Sequence, residues 1–347
     1  MKTFNGLIMA IILVILALTE TSMRKRFQGL ITAGFAGVVI YAFNTSWLRH
    51  APDGEITVLS HRGVHQTFHR EGLTNETCTA QRIYAPKHDY LENTIHSFAA
   101  AIDYGADMIE LDIHPTTDGD FVVFHDWTLE CRTDGIGRVR DRDLAYLKTL
   151  DIGYGYTADN AKTFPFRGRF IGQIPTLRET LQAFPNTRFM INIKSRSESE
   201  AKALLDYIPE NDWSRLSVSG APGPMSVMEN ANNRIVTLSG AQAKTCVKNY
   251  VLKGWLGHMP DACIGTYVPI PKNYRRLIWG WPHRFEQRLN AVGSRSILMG
   301  DYNGLGSTGI DSITDIDAVP INYRGIVWTN KVEVTGPYLK SDETGTQ

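Results

Sequence analysis

The chain has 347 residues, with 36 Lys plus Arg balanced by 36 Asp plus Glu. At 43% hydrophobic and 21% charged residues it is not disordered by composition, and a zero net charge excludes a nucleic-acid binder that works through a bulk basic surface. Four cysteines are too few for a disulfide scaffold but enough for two bridges in an oxidising compartment.

The neutral total divides unequally along the chain. Residues 1–54 carry Lys2, Arg24, Lys25, Arg26 and Arg49 against Glu20 and Asp53, a net charge of +3, which leaves −3 for residues 55–347. Two uncharged apolar runs lie in this first part, one containing Gly6–Leu18 and one over Phe27–Leu48. A helix over the second run, rising about 1.5 Å per residue, crosses a hydrocarbon core of roughly 30 Å. The basic cluster Arg24-Lys25-Arg26 just before it belongs on the cytoplasmic side. The reading is an uncleaved signal anchor with its linker over 23–54, in the inner membrane, with everything after it in the periplasm. Segment 1–22 is either a short first span or an extension upstream of a start at Met23.

Beyond residue 55, short β-rich apolar runs alternate with helical patterns. Strands are predicted at 56–60, 107–113, 188–194, 215–219, 234–238, 262–268, 295–300 and 325–329, with a short extra strand at 121–124. Helices are predicted at 94–104, 176–183, 197–207, 242–253, 274–291 and 312–318. Eight strands alternating with helices predict a TIM (β/α)8 barrel over 55–340, behind the N-terminal membrane helices. The connections 61–92 and 114–175 are long, which predicts long loops at the C-terminal face of the barrel, where such folds carry their sites. An open doubly wound sheet would place a Gly-rich turn after the first strand, where His61-Arg62-Gly63-Val64-His65 stands instead. The last residues, 341–347, read as a disordered tail.

Polar residues gather where these strands end: Ser60-His61-Arg62-Gly63, then Glu110-Leu-Asp112, His125-Asp126 and Asn192-Ile-Lys194. Period-two alternation puts Glu110 with Asp112, and Asn192 with Lys194, on one face. An inward barrel face is ordinarily apolar, so these groups are costly unless paired or bound to a metal. Paired carboxylates and an amide oxygen suit the hard cations Ca2+ or Mg2+, Arg62 and Lys194 suit a phosphate, and two histidines can exchange a proton. A structural salt-bridge layer is the alternative. His114 is expected on the opposite face, in a supporting role. His65, His69, His88 and His96 carry no such expectation.

These residues carry a resemblance. His61-Arg62-Gly63, Glu92-Asn93-Thr94 with Ser97-Phe98 and Ala101, Gly105–Asp112, and Thr117–Asp126 followed by Leu129, Arg132 and Thr133 resemble the glycerophosphodiester phosphodiesterase family. The likeness is specific from about 57 to 195 and looser through Gly309-Ile-Asp311 to Gly325–Asn330. It implies a TIM barrel, a divalent metal, and hydrolysis of a small glycerophosphodiester to glycerol 3-phosphate and an alcohol. It implies His61 and His125 as the acid/base pair, and Arg62 and Lys194 as phosphate contacts. It also implies Glu110 and Asp112 as metal ligands, with Glu92 at the metal edge or pairing with Arg62. The chain departs from the family at Asn192, where a third carboxylate is usual; Asn330, in place of a usual Asp, is read as structural.

Cys78 and Cys131 fall in the two long loops, so an extracytoplasmic domain predicts a bridge between them, with Cys246–Cys263 as a second pair and four free thiols as the alternative. Two other functions stay open. One is a lysophospholipid-directed phosphodiesterase on the same barrel, with Trp255, Tyr267, Trp279 and Trp281 as an apolar lip. The other is a metal- or phosphate-binding surface protein without turnover. Neither nucleic acid nor a protein partner is implied.

Overall fold

The computed structural model describes residues 25–48, 50–74, 77–231, 235–304 and 306–344. The expected apolar segment 1–22 lies outside them. Among the described residues nine strands form: β1 (Thr57–His61), β2 (Met108–Pro115), β3 (Phe121–Val123), β4 (Arg188–Ile193), β5 (Leu216–Gly220), β6 (Val236–Ser239), β7 (Tyr267–Pro271), β8 (Arg295–Met299) and β9 (Ile326–Thr329). Their order is β6-β5-β4-β2-β1-β9-β8-β7, all parallel, with β3 antiparallel on β2. A parallel bridge from Thr237 to Thr266 joins the two ends, so eight strands make a nearly closed barrel, as the alternation predicted.

Around it lie α2 (Ile95–Asp103), the short α3 (Leu144–Leu147), α4 (Leu177–Ala183), α5 (Glu198–Tyr207), α6 (Pro222–Ala231), α7 (Gly240–Lys253), α8 (His283–Asn290), α9 (Ile313–Ile316) and α10 (Val332–Thr344). Thr94 caps α2 by accepting from the Ser97 amide, and Thr176 with Glu179 forms a capping box on α4. Several elements depart from expectation. The strand expected at 262–268 lies at 267–271, because Asp261–Cys263 makes a 3-10 turn. The helix expected at 274–291 is confined to its second half, His283–Asn290, after a 3-10 turn at Arg275–Leu277. α6 was not expected, since Pro222, Gly223 and Pro224 read as loop; proline is tolerated in a first helical turn, where its missing N–H costs nothing. α10 continues to Thr344 through Gly336 and Pro337, so residues 341–344 are helical rather than a tail.

The barrel interior explains where a site can form. Leu59, Met108, Met190 and Trp328, from four neighbouring strands, pack with Ile297 and Ile326 into an apolar interior cluster. Two residues further along each strand, about 7 Å nearer the C-terminal end, stand His61, Glu110, Asn192 and Asn330. Odd and even positions separate cleanly: Val58, Ile109, Ile191 and Val327 belong to the core between strands and helices. The two long loops have a core of their own, including Ile83, Leu91, Phe124, Leu129, Leu147 and Phe166. The Cys78–Cys131 disulfide staples them together, and Cys246–Cys263 links α7 to the turn before β7, as expected.

Ahead of the barrel, α1 (Lys25–Asn44) is long and apolar enough to cross a membrane, and almost none of it is buried. Its C-terminal end is docked against the barrel. Asn44 donates to the Trp255 carbonyl at 2.8 Å and accepts from Arg288 at 3.0 Å. Gly257 (φ +81°) lies so close to the Phe43 ring that a Cβ there would come within 2.6 Å of it.

Candidate active site

The turn after β1 is shaped by its backbone. Arg62 and Gly63 are both left-handed, with φ of +59° and +76°. A Cβ on Gly63 would sit 2.1 Å from Ser97 Oγ, so only glycine passes here. The turn is tied on both sides: the Arg62 amide donates to the Glu110 carbonyl at 2.9 Å, and the Arg62 carbonyl accepts from the Asn93 amide at 3.1 Å and from Ser97 Oγ at 3.1 Å. The segments 61–63 and 92–97 are thus one packed unit, although thirty residues apart in the chain.

Asp112 is the best-satisfied group in the site. Arg62 Nε lies 3.1 Å from its Oδ2, to which Asn93 Nδ2 also donates at 3.1 Å. Its Oδ1 accepts from Asn192 Nδ2 at 2.8 Å and from Lys194 Nζ at 3.4 Å. Burial alone would raise its pKa, but Lys194 and Arg62 hold it well below the usual carboxylate range. Glu110 contrasts with it. Its Oε2 is buried without a hydrogen-bond partner among the described residues, 3.7 Å from His61 Nε2. Burial, and then the Asp112 charge, push its carboxyl well above the usual range.

His61 is oriented by a relay. Asp311 accepts from the Asn330 amide group at 2.8 Å, which turns Asn330 Oδ1 toward His61 Nδ1 at 2.6 Å. An amide oxygen only accepts, so Nδ1 carries the proton and Nε2 keeps a lone pair. Burial, then the nearby Arg62 charge, lowers the His61 pKa well below the ordinary histidine value. Asn330, read as structural, therefore holds the ring; the signal lay in its position at the end of the strand beside β1.

His125 is held differently. Its Nδ1 lies 2.6 Å from Asp126 Oδ1. Asp126 is fixed by Arg132 (Nε to Oδ2 2.9 Å), and Arg132 also reaches Glu92 (3.2 Å), Tyr156 Oη (2.7 Å) and Thr79 Oγ1 (2.8 Å). Glu92 in turn pairs with Arg62 at 3.0 Å. A continuous chain of charge runs from His125 through Asp126, Arg132, Glu92 and Arg62 to Asp112. Against the opposing effect of burial, Arg132 and His125 hold Asp126 far below the usual range, and Asp126 and Glu92 raise Arg132. Burial and Arg62 lower His125. In the sequence Arg132 and Asp126 stand out only as parts of a motif; their linking role shows only once the loops are folded.

The structure brings His61, Arg62, His125 and Lys194 to one cleft of about 440 Å3, with His65 and Trp127 on its wall. Glu110, Asp112 and Asn192 lie beneath. His114 corrects an expectation: it has the parity of Glu110 and Asp112, is buried against Trp127, and is pushed down to about 4 by burial and then Lys194. The aromatic lip divides: Trp255 and Trp279 are exposed near the end of α1, whereas Tyr267 and Trp281 pack into the interior clusters.

The description "Glycerophosphoryl diester phosphodiesterase family" belongs to the family whose model matches residues 61–251, more than half of the chain. A glycerophosphodiester phosphodiesterase of Caldanaerobacter subterraneus is 40% identical over 107 residues, 30% of this chain and 40% of the relative. A lysophospholipase D of Homo sapiens is 34% identical over 152 residues, 42% and 43% of the two chains. The match thus spans less than half the length of these relatives. Among solved structures, a glycerophosphoryl diester phosphodiesterase domain from Mycobacterium tuberculosis aligns over 82% of this chain and 99% of its own, at TM-score 0.56 and 15% identity. A phosphodiesterase of Oleispira antarctica, solved with the product sn-glycerol-3-phosphate, aligns over 86% and 98% at TM-score 0.50 and 18% identity. These two likenesses show the fold.

Proposed function

Because this chain belongs to the glycerophosphoryl diester phosphodiesterase family, we propose that it hydrolyses glycerophosphodiesters to glycerol 3-phosphate and an alcohol, with His61 and His125 moving the protons. The observation that carries the reading is the placing of two differently partnered histidines on one cleft with Arg62 and Lys194. Arg62 and Lys194, held in place by Asp112, bind the phosphate. Glu92 keeps Arg62 oriented. His61, neutral with its lone pair on Nε2, takes a proton from the attacking water as the water oxygen bonds to phosphorus. His125, whose protonated form Asp126 supports, gives a proton to the leaving alcohol oxygen as its bond to phosphorus breaks.

A divalent cation, Ca2+ or Mg2+, suits part of this site. The orphaned buried oxygen of Glu110, next to a second carboxylate that depresses its ionisation, is the donor pattern a hard cation relieves. Glu110 and Asp112 would hold it, joined by Asn192 once its amide turns its oxygen inward. A bound cation supplies Lewis-acid stabilisation of the charge on the phosphoryl oxygens. The donor set is thin, since among the described residues no group of three or more His, Cys, Asp or Glu is arranged for a metal. Two carboxylates instead of three mean weak binding.

The anchored reading of α1, with Lys25 and Arg26 on the cytoplasmic side, places the barrel outside the cytoplasm. Two disulfides suit that compartment. A lysophospholipid substrate is the second reading, favoured by the likeness to human lysophospholipase D and by a membrane helix docked on the barrel. The test is turnover of glycerophosphocholine and lysophosphatidylcholine by the full chain, with and without Ca2+ or Mg2+. Release of glycerol 3-phosphate from the first supports glycerophosphodiester hydrolysis. Turnover of the lipid alone supports the second reading, and turnover of neither refutes both.

A further inference from the structure

Away from the catalytic cleft, a groove of about 590 Å3 opens where α1 meets the barrel. Its walls include Tyr41 from the last turn of α1 and Arg275, Arg276, Leu277 and Trp279 from the connection between β7 and α8. The junction is stiff. Besides the Asn44 bonds, Arg284 donates from its backbone amide to Ser46 Oγ at 3.2 Å, and the Arg284 and Arg288 guanidinium groups lie 5.0 and 5.4 Å from the Phe43 ring centre. Asn44, the last residue of α1, is itself buried against the barrel.

That stiffness fixes the depth of the groove. The 20 residues of α1 rise about 30 Å, the thickness of a hydrocarbon core. With Lys25 and Arg26 at one interface, Asn44 lies at the other, and the groove beside it is level with the lipid headgroups. Its chemistry suits that level. Leu277 and Trp279 are 56% and 38% exposed, and tryptophan at the boundary of water and lipid is favoured because its ring is apolar and its N–H is not. Arg276 is exposed, and Arg275 is steadied by donating to the Lys272 carbonyl at 2.6 Å while keeping other N–H groups to offer.

We propose that this groove binds the phosphate headgroup of an anionic phospholipid from the membrane that α1 enters, with Arg275 and Arg276 as the phosphate contacts. Trp279 and Leu277 lie against the glycerol and the upper acyl chain. The lipid then holds the barrel at one tilt to the bilayer. This rests on the anchored reading of α1.

The experiment uses the full chain reconstituted into phosphatidylcholine bilayers with and without a minority of phosphatidylglycerol. Tryptophan emission is quenched by acyl-brominated versions of each lipid, and Trp279→Phe identifies the share due to Trp279. The expected result is quenching of Trp279 at lower mole fractions of phosphatidylglycerol than of phosphatidylcholine. The preference should fall by about fivefold for each arginine removed in Arg275→Gln and Arg276→Gln, the ratio equivalent to ~1 kcal/mol per basic residue at an anionic surface. Unchanged turnover of glycerophosphocholine shows that the variants are folded. A chain that resists carbonate extraction yet shows equal quenching by both lipids overturns the groove and leaves the anchor standing. A chain released by carbonate overturns both.

Discussion

Arg132 offers the most demanding mutational test, because one buried guanidinium serves both halves of the site. Its side chain is 3% exposed and holds Glu92 at 3.2 Å, Asp126 at 2.9 Å, Tyr156 Oη at 2.7 Å and Thr79 Oγ1 at 2.8 Å. In Arg132→Met, Glu92 keeps only Arg62 and Asp126 keeps only His125. Stripping one partner from a buried ion network costs about 3–5 kcal/mol, and for a domain of this size that lowers Tm by about 10 °C. The chemistry should suffer too. Without Arg132 the Asp126 carboxylate is no longer fixed, and displacing a catalytic group by about 1 Å costs on the order of 10²-fold in kcat. Arg132→Lys separates the two effects: it restores a charge, but a single ammonium cannot grip both carboxylates as a planar fork does. The lysine variant should recover most of the Tm and little of the kcat. Thermal unfolding by circular dichroism and steady-state turnover of glycerophosphocholine read these quantities. An Arg132→Met protein with unchanged Tm and kcat would refute the linked network.

The two disulfides should behave differently. Opening Cys78–Cys131, 53 residues apart, should cost about 4 kcal/mol by loop-closure entropy and also lower kcat, since Thr79 and Arg132 adjoin its cysteines; opening Cys246–Cys263, 17 apart, should cost about 3 kcal/mol and leave kcat alone. Denaturant unfolding and turnover of the two Cys→Ser pairs check this, and equal kcat losses would contradict it. Glu286, pushed up to about 7 by burial against the hydrogen bonds from Ser296, binds its proton more tightly folded than unfolded, so its burden on stability is absent below its ordinary 4.5 and grows as pH rises through 7. Glu286→Gln should therefore add up to about 3 kcal/mol at pH 8 and nothing at pH 4, which denaturant unfolding at the two pH values measures; the same gain at both would sink the reasoning. Chelation should abolish turnover, and Asn192→Glu should lower the Mg2+ or Ca2+ concentration needed for half-maximal rate by about tenfold or more, as a third charged ligand strengthens a hard-cation site. Full activity in a metal-stripped sample would remove Glu110 and Asp112 from that role.

Much of this architecture was legible because period and chemistry coincide. Glu110 and Asp112 alternate with Ile109, Leu111 and Ile113, so the strand, its inward face and its unusual polarity could all be read from one stretch. The disulfides followed from placing Cys78 and Cys131 on neighbouring loops. Long-range geometry was not legible. Nothing local tells Asn330 that it will meet His61 across 269 residues, or tells Arg132 that it will lie between Glu92 and Asp126. α6 and α10 were hidden by Pro222, Pro224 and Pro337, whose cost depends on where in the helix they fall. His114 shares the parity of Glu110 and Asp112 and so faces with them, as its contact with Trp127 and the nearness of Lys194 show, against the expected opposite face.

The proton roles can be tested by pairing each histidine variant with substrates of different leaving groups. His61→Ala and His125→Ala should each lower kcat on glycerophosphocholine by about 10²–10⁴-fold. A glycerophosphodiester with a nitrophenol leaving group, which departs without a proton, should largely rescue His125→Ala and should not rescue His61→Ala. Equal rescue of both, or near-normal turnover by either variant on glycerophosphocholine, would contradict the assignment of His61 as base and His125 as acid.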